Sequence, residues 1–165
     1  MPSLSIPSPV GRLTIEEAGD KIVAIRWGNG AGGNGSPLLD EAALQLAAYF
    51  DGSLRDFDLP LSPAGTAFEG RVWAAMQGIP YGETRTYGDL AHTTDSGPRA
   101  VGRACGRNPI PIVIPCHRVV GADGKLGGFS AHGGRVTKRR LIEIEGGRIG
   151  DEPDLFDLSP ESRGQ

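Results

Sequence analysis

The run from Asn108 to Val120 constrains this 165-residue chain more than any other stretch. It reads Asn-Pro-Ile-Pro-Ile-Val-Ile-Pro-Cys-His-Arg-Val-Val, with Pro109, Pro111 and Pro115 set among Ile110, Ile112, Val113 and Ile114. Proline has no N–H and its ring clashes with the preceding turn, so no regular helix passes through such a run. Its apolar side chains demand burial, and the reading is therefore a rigid, extended, buried segment. That segment delivers Cys116 and His117 at its end. A free thiol has a pKa of ~8.5 and is only a few per cent thiolate at neutral pH. An adjacent imidazole, its tautomer set by a carboxylate, can take the thiol proton and activate the sulfur. A cysteine used only for packing, beside a surface histidine, is the competing reading, and this pair alone leaves the choice open.

The residues before this segment divide into two patterns. Leu4–Ile6, Val10–Ile15 and Lys21–Trp27 are β-branched runs separated by Gly and Pro, which predicts an antiparallel meander. Gly28–Ser36 reads as a loop, and Leu39–Phe50 as a helix with Leu39, Ala43, Leu46, Ala47 and Phe50 on its apolar face, stopped by Asp51-Gly52. Phe57, Leu59 and Leu61 alternate as a further strand, and Ser62–Gly65 reads as a linker. Beyond it the chain turns helical. Thr66 and Glu69 have capping-box spacing ahead of Phe68, Val72, Trp73 and Met76. A short helix over Tyr87–His92, a turn over Thr93–Gly97 and a second helix opening on Pro98 make a helix-turn-helix pattern. Arg99, Arg103 and Arg107 recur every four residues on that second helix, either as a DNA-facing row or as an ordinary solvated face.

Charge sorts the same way. Residues 1–65 carry 4 basic and 8 acidic side chains, residues 66–150 carry 12 and 7, and residues 151–165 carry 1 and 5. The expected partition is thus an N-terminal domain over 1–65, a second domain over 66–150 and an acidic tail over 151–165. The positive excess of the middle part is where a polyanion would sit. In the tail, Leu155, Phe156 and Leu158 either dock on the body or form a short partner motif. Two cysteines, Cys105 and Cys116, build no disulfide framework, and with three scattered histidines they give no paired metal-ligand spacing. No metal or cofactor is expected. No basic-then-apolar leader pattern is present and no apolar run approaches the ~18 residues of a membrane span, so the expectation is a soluble cytoplasmic protein with no membrane partner.

Pro115-Cys116-His117-Arg118-Val119 resembles the active-site signature of the O6-alkylguanine-DNA alkyltransferases, the methylated-DNA–protein-cysteine methyltransferases. The likeness extends through Ile79–Thr84, Tyr87, Arg99–Gly102, Asn108-Pro109 and Gly127–Ser130 to Glu145-Gly146. More weakly it reaches Ser8–Gly11 and Ala48-Tyr49-Phe50, so it covers residues 6–146. It implies an α+β fold: a small RNase H-like antiparallel-sheet domain, then a mostly helical domain with a winged helix-turn-helix. It also implies a single-turnover repair reaction on duplex DNA containing O6-alkylguanine, with Cys116 as permanent alkyl acceptor. On this resemblance His117, acting through a water and oriented by Glu145, removes the thiol proton. Tyr87 protonates N3 of the leaving guanine, and Asn108 ties the recognition helix to the active-site segment. Arg99 fills the gap left by the flipped nucleotide, while Ala100, Gly102, Arg103 and Tyr87 line a minor-groove contact largely independent of sequence. Pro111, Val119, Phe129 and Ser130 line the substrate pocket. Carbonyls of Cys116 and Val119 read the guanine amino group, and the Ser130 N–H approaches O6. The protein is expected to act as a monomer, with cooperative binding along DNA left open.

Two features depart from the family pattern. The interval from Tyr87 to Arg99 is a couple of residues short, which tightens the turn before the arginine, and Phe129 stands where many relatives carry tyrosine. Arg118 reads either as a salt bridge or as a phosphate contact, and Cys105 as packing or as a second acceptor. The rival functions are a non-catalytic lesion binder, which would lack the acceptor cysteine, a cysteine hydrolase, and a purely structural helix-turn-helix protein.

Overall fold

The computed structural model describes residues 2–30, 33–124, 126 and 134–147. Three strands, β1 (Ser3–Ile6), β2 (Leu13–Ala18) and β3 (Lys21–Trp27), form an antiparallel sheet in that order. The second strand starts three residues later than the apolar run from Val10 predicts. Ser8 turns the chain first, its hydroxyl bonding the Val10 N–H and the Gly11 carbonyl, and Gly11 sits at φ +103°. On the central strand Thr14 is buried and fully used. Its hydroxyl meets Ser5 Oγ and the Gly28 carbonyl at 2.8 Å and accepts the Gly30 N–H at 2.7 Å.

Helix α1 (Pro37–Phe50) lies on this sheet. Ser36 caps it by accepting the Leu39 N–H at 3.1 Å and itself donates to the buried Glu17 carboxylate. Its buried stripe is Leu39, Ala42, Leu46 and Tyr49: Leu39 and Leu46 are as expected, Ala42 and Tyr49 are buried in place of Ala43 and Phe50, and Ala47 is exposed. Tyr49 therefore points inward. The run Phe57–Leu61 is not a strand. Its backbone meets β3 through a single rung, Ile22 N–H to the Pro60 carbonyl at 2.8 Å and Ser62 N–H to the Ile22 carbonyl at 2.9 Å. Proline at 60 has no N–H with which to extend the ladder.

The C-terminal part is mostly helical: α2 (Ala67–Gln77), α3 (Tyr87–Thr93), α4 (Pro98–Gly106) and α5 (Arg135–Ile144). Thr66 and Glu69 complete the capping box of α2, and Thr86 and Asp89 complete one on α3. The turn between α3 and α4 is short but well bonded. Thr94 Oγ1 donates to the Leu90 carbonyl at 2.7 Å, the Ser96 N–H reaches the Ala91 carbonyl at 2.8 Å, and Asp95 takes φ +54°. Trp73 pins α2 to α4 through its indole N–H, 2.8 Å from the Ala104 carbonyl. Two-residue strands β4 (Arg85–Thr86) and β5 (Val119–Val120) pair in parallel beside these helices. Among the described residues no helix is long and apolar enough to cross a membrane.

One apolar core runs through both parts. It joins Leu13, Ile15 and Ile25 of the sheet to Leu46 and Tyr49 of α1, Trp73 and Met76 of α2, and Ile110, Ile112 and Ile114 of the proline-rich segment. The Ile25 N–H also donates to the Pro109 carbonyl at 2.9 Å, so that segment is anchored on β3. Leu46→Ala should cost about 2–5 kcal/mol in urea unfolding. Leu44→Ala on the same helix, at a site 67% exposed, should change stability by less than about 0.5 kcal/mol.

Candidate active site

The proline-rich segment is buried, as its composition predicts, but it is not extended. Ile112 adopts φ +75°, uncommon for a β-branched residue. The Ile114 N–H folds back to the Ile110 carbonyl at 2.9 Å. Pro115, at φ −82° and ψ 69°, makes an inverse γ-turn, closed by the Cys116 N–H on the Ile114 carbonyl at 2.8 Å. Asn108 staples this loop: its Nδ2 donates to the Ile114 carbonyl at 2.7 Å and its Oδ1 accepts the Ile110 N–H at 3.0 Å. Compact packing satisfies the backbone groups that an extended chain would have left to a partner strand. The chain then enters a single 3-10 turn, Cys116–Arg118, that holds the thiol, the imidazole and a guanidinium in succession.

Glu145, the residue that ends α5, gathers the site. His117 Nε2 lies 2.7 Å from its Oε2. Arg118 grips both oxygens, Nε to Oε1 and Nη2 to Oε2 at 2.9 Å each, while its Nη1 donates to the Ile79 carbonyl at 2.7 Å. Tyr49 donates to Oε2 at 2.6 Å, and the Gly82 N–H approaches Oε1 at 3.2 Å. Gly82 has φ +81°, and a Cβ there would come within 3.1 Å of the Glu145 carbonyl. Only glycine suits that turn, which accounts for its place in the Ile79–Gly82 motif. Arg118 is thus a buried ion-pair residue.

Burial opposes the negative charge of Glu145, but the hydrogen bonds from His117, Arg118 and Tyr49 outweigh it and hold the carboxyl at about 2. Burial likewise pushes the His117 pKa below its usual value, against the pull of Glu145. A neutral His117 must then donate Nε2–H to the carboxylate, leaving the lone pair on Nδ1. Nδ1 is buried and takes no hydrogen bond among the described residues. Cys116 is 6% exposed. Burial raises its thiol pKa, partly offset by a hydrogen bond from Asn108 and by the charge of Lys138.

Lys138 of α5 is buried and lies beside Tyr87, Nζ donating to the phenol oxygen at 3.3 Å and resting 5.5 Å from the ring centroid. Burial lowers its pKa to about 8 and raises that of Tyr87 to about 12, where charges on Cys105 and Cys116 add to the rise. Cys105 packs its sulfur 3.7 Å from Met76 Sδ, and burial pushes its own thiol up to about 12.

Cys116, His117 and Glu145 are therefore all buried, the last two in direct contact, while half-buried Asn108 bonds to the thiol. Pro111 and Val119 are buried. Arg99 and Arg103 project from the exposed face of α4 without acidic partners among the described residues, whereas Arg107 is held by Glu69 at 3.2 Å. Ala100 and Gly102 are half-buried on that helix, and nothing lies within 4 Å of a Cβ built on Gly102. Phe129, Ser130 and the tail from 151 lie outside the described residues. Two residues were missed in the sequence. Lys138 reads as one more cation in the basic run Arg135–Arg140. Tyr49 stands in the sequence only within Ala48-Tyr49-Phe50, where the periodicity points Phe50 inward.

Residues 4–63 match the model of the 6-O-methylguanine DNA methyltransferase ribonuclease-like domain, and residues 67–147 match that of the 6-O-methylguanine DNA methyltransferase DNA binding domain. The methylated-DNA–protein-cysteine methyltransferase of Mycobacterium bovis is 42% identical over 167 residues, covering 93% of this chain and 97% of the relative. That of Methanosarcina acetivorans is 52% identical over 108 residues, covering 64% of this chain and 68% of the relative. The crystal structure of Mycobacterium tuberculosis OGT in complex with DNA superposes with a TM-score of 0.79 at 44% identity, over 88% of this chain and 92% of that one. The chain belongs to the 6-O-methylguanine DNA methyltransferase family.

The depressed pKa values of Glu145 and His117 carry a stability consequence. Both groups bind protons more readily in the unfolded chain, so stability is full above about pH 6.5 and falls on acidification, first through His117 and then, below about pH 5, through Glu145. Chemical denaturation at stepped pH should show this decline. Glu145→Gln should weaken the part below pH 5 and cost about 3–5 kcal/mol at pH 7, because it leaves the Arg118 charge buried without its counter-ion.

Proposed function

We propose that this protein repairs duplex DNA by taking the alkyl group of O6-alkylguanine onto Cys116, once and irreversibly. The observation that carries the reading is the 2.7 Å contact between His117 Nε2 and Glu145 Oε2. Glu145 occupies Nε2, so the basic lone pair lies on buried Nδ1, next in sequence to a thiol that burial keeps protonated. Through a water, Nδ1 takes the Cys116 proton. The thiolate attacks the alkyl carbon, the carbon–O6 bond breaks and its electron pair passes into the guanine ring, where N3 takes a proton from Tyr87. Lys138 lies beside this last step, its Nζ donating to the phenol oxygen at 3.3 Å. Asn108 keeps the loop that bears the thiol in register.

DNA contact is assigned to α4. Arg103 meets phosphate, and Ala100 and Gly102 let the helix lie close in the minor groove while Arg99 fills the stack behind the flipped base. Gly97 caps α4 without a side-chain bond, so the helix N-terminus keeps N–H groups for phosphate as well. Pro111, Val119, Phe129 and Ser130 are assigned to the pocket wall. The working division is 1–65, 66–150 and an acidic tail from 151, acting as a monomer in the cytoplasm without a cofactor. Arg118, held by Glu145, is left out of the DNA-binding set.

Intact-mass measurement after incubation with an O6-methylguanine duplex should show one methyl group gained per chain and none for Cys116→Ser. Binding without a mass change would overturn the transfer, and repeated turnover would favour a hydrolase. For DNA contact, Arg103→Ala should weaken binding evenly across sequences and lower the slope of log affinity against log salt by about 1.

A further inference from the structure

We infer that Tyr49, reaching across from the N-terminal helix, is a positioning residue for alkyl transfer: its hydroxyl locks the Glu145 carboxylate against which His117 is set. This rests on the Cys116–His117–Glu145 proton path proposed above.

The sequence distance is large and the contact is close. Tyr49 lies 96 residues from Glu145, is 0% exposed, and donates at 2.6 Å to the same oxygen, Oε2, that holds His117 at 2.7 Å. Packing alone does not account for the hydroxyl, since the other positions of its buried stripe are Leu or Ala. A phenol with no partner there would lose its hydration for nothing, whereas one aimed at a carboxylate forms a charge-assisted bond. The ring has little freedom. Phe50 stands edge-on at 5.2 Å, Phe57 at 5.4 Å and Tyr81 edge-on at 6.1 Å, with the Arg55 guanidinium over the outer ring of Tyr81.

Two consequences follow for the proton. With Tyr49, His117, Gly82 and both Arg118 contacts in place, the carboxylate cannot rotate away from the imidazole without breaking another bond. Tyr49 also shares the charge of Oε2. It keeps Glu145 a weak base, so a proton taken from Cys116 stays on His117. The charged and titratable groups around the imidazole are Glu145, Arg118 and Lys138, and those around the phenol are Glu145, Arg118 and Tyr81. Burial and the Glu145 charge hold the phenol protonated throughout, so Tyr49 acts as a donor only.

The test is Tyr49→Phe, followed in single-turnover methyl transfer from an O6-methylguanine duplex across pH. The rate should fall roughly ten-fold, the scale of one charge-assisted hydrogen bond, with DNA affinity unchanged. The acid limb of the profile should move to higher pH, because undivided charge on Oε2 makes the imidazolium easier to form. The ring-nitrogen NMR titration of His117 in the DNA-free protein should move the same way. Phe57→Ala, which loosens the ring without touching the hydroxyl, should lower stability and leave that limb in place. If Tyr49→Phe does not fold, replacing all tyrosines with 3-fluorotyrosine strengthens the donor and should move the His117 titration to lower pH. A Tyr49→Phe protein with the parent's rate, pH profile and His117 titration would overturn the inference. Failure of the unaltered protein to accept methyl would overturn the transferase reading instead, and the His117 titration would still decide the role of Tyr49.

Discussion

One buried carboxylate organises this molecule. Glu145 receives donors from α1, from the turn at Gly82 and from the 3-10 turn after Pro115, so regions far apart in sequence converge on two oxygen atoms. Such a convergence is stable only when complete. Removing the solvent from a carboxylate and a guanidinium costs several kcal/mol per ion, and close, fully bonded geometry is what recovers it. The apolar core shared by sheet, helices and proline-rich segment excludes the water that would otherwise loosen the pair. Packing and ion pairing are here a single constraint, because each holds only while the other does.

Around that carboxylate the electrostatics favour restraint. Burial moves Lys138 down toward neutrality and moves Tyr87, Cys105 and Cys116 up away from ionisation. The resting cluster therefore holds its protons, and Glu145 with Arg118 supplies the fixed charge. Chemistry there begins only when a ligand changes the local environment or offers an acceptor. Asn108 and Lys138 are already placed to favour the thiolate once it forms.

Much of this was legible in the sequence, for reasons that can be named. Local signals were read correctly: the capping pair Thr66 and Glu69, the helix-turn-helix around Thr94, and the meander of β-branched runs each depend on neighbours a few residues away. The buried character of Asn108–Val120 was equally plain from its composition. Its path was not. Prolines exclude a helix but do not distinguish an extended strand from a loop folded on itself, and the choice fell to the Asn108 side chain and the left-handed Ile112. Phe57–Leu61 alternates like a strand, but pairing needs a partner edge that Pro60 cannot extend. Tyr49 and Lys138 escaped notice for a related reason. Their roles come from what stands opposite them in space, and helical periodicity anchored on Leu39 and Leu46 accepts either Tyr49 or Phe50 as the inward aromatic.

The burial of Cys116 has a further meaning for a protein consumed by its own reaction. A thiol held neutral and 6% exposed meets soluble electrophiles and oxidants slowly, because both attack the thiolate and both need access. Reactivity is thereby reserved for a partner that reaches the buried sulfur. For an acceptor that works once, the shelf life of the unspent molecule matters as much as its speed, and the same burial that delays the sulfur preserves its supply.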